Sequence, residues 1–392
     1  MTAQTAPLRK PKQFLPFSQP MFGDEEIAEV ADSMRSGWLT RGPKTQKFED
    51  LFRDYVGAAY AVGVNSATSG LHLACVALGI GDGDEVITTP MTYVATPNEI
   101  EHAGATPVFV DVDTETFLID PAKIEAAITP RTKAIMPVHL YGQSCDMDAI
   151  MDIAGRHGLK VIEDAAHAME TTWKDRKIGT IGDITVFSFY PTKNISTGEG
   201  GMMTMMDVEL GERVKRLSMH GNSKDAWKRY GSSGFAHYSL LERGYKYHMF
   251  DLIAAIGVAQ FPKLERWYPI REKLWKRYDA AIGQMPGVRA VPIVMPGRHA
   301  LHLYVIEIDP AVVSRTRDQL MDYLQANNVG VGIHYYGMHL QPYYAQKYGL
   351  TPEQFPNATR ASERMLSLPL YPKMTLDDVD DVVAVLRAGI GA

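Results

Sequence analysis

The chain has 392 residues, 45% of them hydrophobic and 22% charged, and a formal net charge of −6. This is ordinary globular composition for two or three domains around a large core, and it excludes a disordered, collagenous or coiled-coil architecture. The mild negative charge gives no electrostatic reason to bind nucleic acid or an anionic membrane.

Two cysteines, Cys75 and Cys145, stand outside any Cys-x-x-Cys or Cys/His ligand spacing, so neither a disulfide framework nor a metal site is expected. Residues Met1 to Phe17 mix Pro, Lys and polar side chains without the apolar stretch of a secretory leader. No run of about eighteen apolar residues appears, so no membrane span is expected. A cytoplasmic protein is the expectation.

Strand and helix signals then alternate. Residues 60–64 read as an apolar strand. Residues 69–79 follow as a helix with Leu71, Cys75 and Leu78 on one face and glycine at the end. A second strand is expected at 85–88, a helix at 92–103 with Pro97 near its start, and a third strand at 107–112. Asp120-Pro121 opens a helix, because Asp caps and Pro fits the first helical position. Strands at 134–138 and 160–163 flank a helix at 147–157, and 185–189 and 202–206 read as paired strands. This βαβα rhythm predicts an α/β fold with a mostly parallel central sheet.

Leu264, Trp267, Ile270, Leu274, Tyr278 and Ile282 recur at three- and four-residue steps, which predicts a long amphipathic helix over 264–283. A strand at 303–308 and helices at 317–327 and 376–388 follow. The division expected is an N-terminal segment and large domain over 1–265, and a connecting helix with a smaller α+β domain over 266–392.

The chemistry concentrates in two runs, Glu163-Asp164-Ala165-Ala166-His167 and Ser188-Phe189-Tyr190-Pro191-Thr192-Lys193. Asp164 ends an apolar strand, and strand ends form the ligand crevice of an open α/β sheet. Lys193 sits in a turn rich in Gly, Ser and Thr; partial desolvation there would lower its pKa and free the amine for imine chemistry with an aldehyde. A carboxylate across the crevice could hold a pyridinium nitrogen, as pyridoxal phosphate (PLP) requires. Asn65-Ser66-Ala67-Thr68-Ser69-Gly70 lies between strand and helix, where free N–H groups at a helix start bind phosphate. Ser188 can add a hydroxyl, and Tyr93 can stack on a ring. Taken singly, each piece also reads as ordinary structure: a strand-end Asp caps helices, and a loop Lys is solvated.

In this order the motifs resemble the DegT/StrS-type sugar aminotransferases, a branch of the fold-type-I PLP enzymes. The resemblance runs from Trp38-Leu39-Thr40-Arg41-Gly42-Pro43 to Leu368-Pro369-Leu370-Tyr371-Pro372, and includes Pro137-Val138-His139-Leu140-Tyr141-Gly142. It implies that Lys193 is the Schiff-base lysine and proton shuttle, that Asp164 pairs with the pyridinium, and that Ala67, Thr68 and Ser188 hold the phosphate. Tyr93 would stack on the ring and His167 would lie near its O3′ edge. The family acts as a homodimer whose second subunit reaches the phosphate with a loop, here Gly244-Tyr245-Lys246-Tyr247-His248-Met249. Related sequences commonly read Gly-Tyr-Asn-Tyr-Arg or Gly-Tyr-Lys-Tyr-Asn, with an asparagine close to the phosphate; in this chain Lys246 and His248 take those places. Thr40, Arg41, Gly42, Ile333, His334 and Tyr335 would line the sugar-nucleotide cleft.

The implied reaction moves an amino group from glutamate to a nucleotide-linked keto-sugar. His167 and the Ser196-Thr197-Gly198-Glu199-Gly200-Gly201 loop resemble the branch that aminates C4 of a 4-keto-6-deoxyhexose. A C3 sugar aminotransferase, a cyclitol (inosose) aminotransferase and a non-catalytic ligand-binding regulator are the alternatives.

Overall fold

A computed structural model describes residues 8–223 and 239–391; the first seven residues of the N-terminal stretch lie outside them. Seven strands form the central sheet: β1 (Tyr60–Val64), β2 (Glu85–Thr88), β3 (Thr106–Phe109), β4 (Thr132–Met136), β5 (Lys160–Asp164), β6 (Ile184–Ser188) and β7 (Gly201–Met205). Their order across the sheet is β1-β7-β6-β5-β4-β2-β3. The β3–β2, β2–β4, β4–β5 and β5–β6 pairs are parallel, and β7 runs antiparallel between β6 and β1.

The expected alternation is therefore present, with short differences at the ends. The third strand stops at Phe109, and the helix placed at 69–79 spans Ala67–Ala77. That two-residue shift matters, because it turns Ala67 and Thr68 into the first helical residues. Strands β1, β2, β4, β5 and β6 are buried almost end to end, as befits a parallel sheet covered on both faces. The methionines Met202, Met203 and Met205 of β7 are buried core residues.

Three strands, β8 (Val288–Ala290), β9 (Tyr304–Ile308) and β10 (Met365–Leu368), make a second, antiparallel sheet. Its core gathers Leu274, Tyr278, Tyr304, Leu320, Leu324, Val382 and Leu386. The long helix spans Leu264–Ile282 and buries the stripe Leu264, Trp267, Leu274, Tyr278 and Ile282, while Ile270 stays exposed. Among the described residues, no helix is long and apolar enough to cross a membrane.

The antiparallel insertion of β7 sets the geometry of one sheet edge. Gly201, where β7 begins, is paired with Ser188, where β6 ends, and with Val64, where β1 ends. The carboxyl ends of β1, β5 and β6 thus open on the same edge as the loop 189–200, which carries Lys193.

Candidate active site

A cavity of about 410 Å³ lies at that edge. It is lined by Ala67, Thr68, Tyr93, Asp164, His167, Ser188, Lys193, Ile333, His334 and Tyr335, ten of the residues expected from sequence. Strand ends far apart in the chain meet here because the sheet is parallel.

Asp164 and its neighbour Glu163 divide their work by strand alternation. Asp164 faces the cavity; its Oδ2 accepts from Thr96 Oγ1 at 2.8 Å and its Oδ1 from the Ala166 N–H at 3.1 Å. Burial pushes its pKa up, against the pull of those donors and of Lys193. Glu163 is buried away from the cavity, where it accepts from Gly182 N–H, Thr185 Oγ1 and His139 Nε2. Three donors pin that residue and hold the strand end beneath Asp164.

Burial pushes the Lys193 amine down from 10.5 to about 8, with Asp164 opposing the shift. An amine titrating there is partly neutral near neutral pH, which both nucleophilic addition and proton transfer require. His167 accepts from the Tyr141 N–H at Nδ1 (3.2 Å), so its proton sits on Nε2, 3.0 Å from Tyr335 Oη. Burial and the Lys193 charge hold His167 far below its ordinary pKa, as a neutral imidazole. His334 bonds Ser367 Oγ through Nδ1 (2.9 Å) and stacks on Phe17 at 5.1 Å.

The turn into the helix Ala67–Ala77 builds an anion cup. Ser66 caps it, accepting from Ser69 N–H at 3.1 Å. The first helical N–H groups, those of Ala67 and Thr68, have no acceptor within the helix and point their positive end outward. Gly201 lies flat against this turn: a Cβ there would sit 2.8 Å from Ala67 N and 2.9 Å from Ser66 C. Ser188, whose Oγ accepts from Tyr190 N–H at 3.3 Å, stands next to it across the sheet. Small residues, free amides and a hydroxyl suit a phosphate; the acid and the amine suit a pyridine aldehyde. The residues present fit PLP.

Five expected residues do not line the cavity. Arg41 is buried in a two-bonded ion pair with Glu49 (2.7 and 2.6 Å), and Gly42 donates its N–H to Asp251. Both guanidinium ends of Arg41 are thereby committed inside the chain. Thr40 Oγ1 lies 3.4 Å from His248 Nε2, and Lys246 is exposed on the same loop. Burial lowers His248 to about 4, so it is neutral. Thr40, Lys246 and His248 thus share a surface beside Trp38, Leu39 and Phe250, which are exposed.

Sequence reasoning missed Phe17, Thr96 and His302. Thr96 carried a usable signal, one helical turn after Tyr93 and on the face toward the sheet. Phe17 and His302 reach the cavity only through tertiary packing.

Residues 20–387 match the model of the DegT/DnrJ/EryC1/StrS aminotransferase family, and the chain belongs to that family. It is a PLP-dependent sugar aminotransferase. It is 51% identical over 381 residues to the spore coat polysaccharide biosynthesis protein SpsC of Bacillus subtilis, covering 97% of this chain and 98% of that one. Among solved structures it is similar to the putative sugar aminotransferase Spr1654 of Streptococcus pneumoniae in its PMP-form. That likeness has a TM-score of 0.91 and 31% identity, and covers 96% of this chain and 99% of the other. It is also similar to DesI, solved in the presence of its TDP-sugar product: TM-score 0.86, 30% identity, 97% of this chain and 94% of that one.

Proposed function

We propose that this enzyme transfers the amino group of glutamate to C4 of a nucleotide-linked 4-keto-6-deoxyhexose, as a cytoplasmic homodimer with shared active sites. The observation that carries the reading is the single cavity joining a lysine amine near pKa 8, a buried carboxylate and a helix-start anion cup. The TDP-sugar in the DesI structure supports a nucleotide handle, and the SpsC likeness supports a polysaccharide route. His167 and the 196–201 loop support C4.

Bound PLP supplies an electron sink for the pair left when the amine-bearing carbon gives up its proton. In our reading the Lys193 amine, once neutral, receives that proton and returns it to the other side of the transfer. Asp164 keeps a proton on the ring nitrogen; Thr96 and Ala166 fix its two oxygens for that task. Ala67, Thr68 and Ser188 would hold the phosphate, Tyr93 would stack on the ring, and His167, its Nε2–H turned to Tyr335, would lie beside the O3′ edge. Ile333, His334 and Tyr335 line the sugar side.

Thr40, Lys246 and His248 serve the neighbouring subunit's phosphate in this reading. The exposed apolar trio Trp38, Leu39 and Phe250 supports burial of that surface between two copies. Arg41 and Gly42 shape the same edge through Glu49 and Asp251 rather than by direct contact. We divide the chain at 265/266, with the small sheet and its helices as the second unit.

The test is a panel of nucleotide-linked 3-keto and 4-keto sugars and an inosose, each with glutamate, read by mass spectrometry. Amination of a 4-keto nucleotide sugar is the expected result. Exclusive turnover of a 3-keto sugar or a free inosose would refute the assignment.

A further inference from the structure

A buried polar chain runs up to Lys193 from behind, and the reaction described above does not use it. Arg271, on the long helix Leu264–Ile282, is paired with Glu170, and both side chains are fully buried. Asn194 Nδ2 donates to Glu170 Oε2 at 2.7 Å and to the Ala300 carbonyl at 2.9 Å. With both amide hydrogens given to acceptors, Asn194 Oδ1 is left to accept, and its partner is His302 Nδ1 at 3.1 Å. The proton of His302 is thereby placed on Nδ1, and Nε2 presents a lone pair.

That Nε2 is buried and has no hydrogen-bond partner. His302 lines the same cavity as Lys193, and its ring centroid lies 4.6 Å from that of His167. Burial, together with the Lys193 and Arg271 charges, keeps the imidazole neutral. An acceptor left unpaired in a buried place costs about 1–3 kcal/mol. The Lys193 amine lines the same cavity as a mobile donor, with up to three N–H groups and, as ammonium, no lone pair. His167 cannot serve as that donor, because its Nε2–H faces Tyr335.

We infer that His302 is a positioning residue for Lys193: its Nε2 accepts a hydrogen bond from the amine whenever the amine is free of the cofactor. The lysine then has a fixed place between the two half-reactions, instead of turning back to Asp164. The inference rests on the reading of Lys193 as the reacting amine. The Arg271–Glu170–Asn194 chain sets the tautomer that makes Nε2 an acceptor.

The experiment uses cofactor-free dimer and measures Lys193 acylation by acetic anhydride at pH 7, by peptide mass spectrometry. An acceptor favours the ammonium form, so His302→Phe should lower the amine pKa and speed acylation about five-fold. His302→Gln, which keeps an acceptor, should stay within about two-fold of the parent. Glutamate single turnover followed on the reloaded enzyme should slow about ten-fold in His302→Phe at unchanged donor KM, and recover in His302→Gln. If His302→Phe fails to fold, Asn194→Ala releases the ring without changing its volume and should raise acylation about two-fold. Equal acylation in parent, His302→Phe and His302→Gln, or no change in Asn194→Ala, overturns the inference. Lys193→Ala keeps the two questions apart: retention of the visible cofactor band there would defeat the reading of Lys193, whatever His302 does.

Discussion

Lys193→Met in the cofactor-free protein isolates the cost of holding an ammonium group in the cavity. Its folded pKa is about 8 against an ordinary 10.5. At about 1.4 kcal/mol per pH unit, that difference is about 3 kcal/mol. The sign follows from proton counting. Between pH 8 and 10.5 the unfolded chain binds more protons at this site than the folded one, so stability rises with pH across that window. Below pH 8 both states are protonated and the folded state carries the full cost. Methionine matches the length of the stem and carries no charge. Lys193→Met should therefore be more stable than the parent by up to about 3 kcal/mol at pH 6.5, with the gain shrinking to nothing by pH 10.5. With an unfolding entropy of about 2.1 cal/mol/K per residue over 392 residues, the gain corresponds to about 4 °C in Tm. Scanning calorimetry of both cofactor-free proteins at several pH values measures it. A variant less stable than the parent at pH 6.5, or a gap that widens as pH rises, would refute the burial argument.

Other substitutions probe the rest of the cavity. Asp164→Ala removes the acid that would hold the ring nitrogen and should lower kcat by about a hundred-fold or more in steady-state assays, with cofactor still bound. Gly201→Ala drives a methyl group into the backbone of Ser66, Ala67 and Phe187. It should weaken PLP affinity by about ten-fold or more in equilibrium dialysis while the protein remains folded. Mixing Lys193→Ala with the double variant Lys246→Ala, His248→Ala should restore part of the activity through heterodimers that carry one intact site, read as turnover against mixing ratio.

Much of this is legible in the sequence. Periodicity located the strands of the sheet, and the strand-end rule put Asp164 and Lys193 beside one crevice. The helix start at Ala67 fell two residues ahead of its expected place, because Ser66 caps by taking the Ser69 N–H and draws the first turn forward. Local patterns carry such information because they reflect backbone hydrogen bonding within a few residues. Arg41 shows the limit. The family resemblance placed it in the sugar-nucleotide cleft, yet Glu49, eight residues on, engages both ends of it. The position of β7 between β6 and β1 was also out of reach, since sheet order depends on long-range pairing. His302 and Phe17 are a further case: nothing near them in sequence marks a site, and only the fold brings them to the cavity wall.

The central claim is that the amine of Lys193 is the group that carries PLP. Borohydride reduction of the purified, PLP-loaded enzyme followed by peptide mapping tests it directly. A phosphopyridoxyl adduct on the peptide containing Lys193 and loss of the visible band are the expected result. An adduct confined to another lysine, or none after full loading, would contradict it.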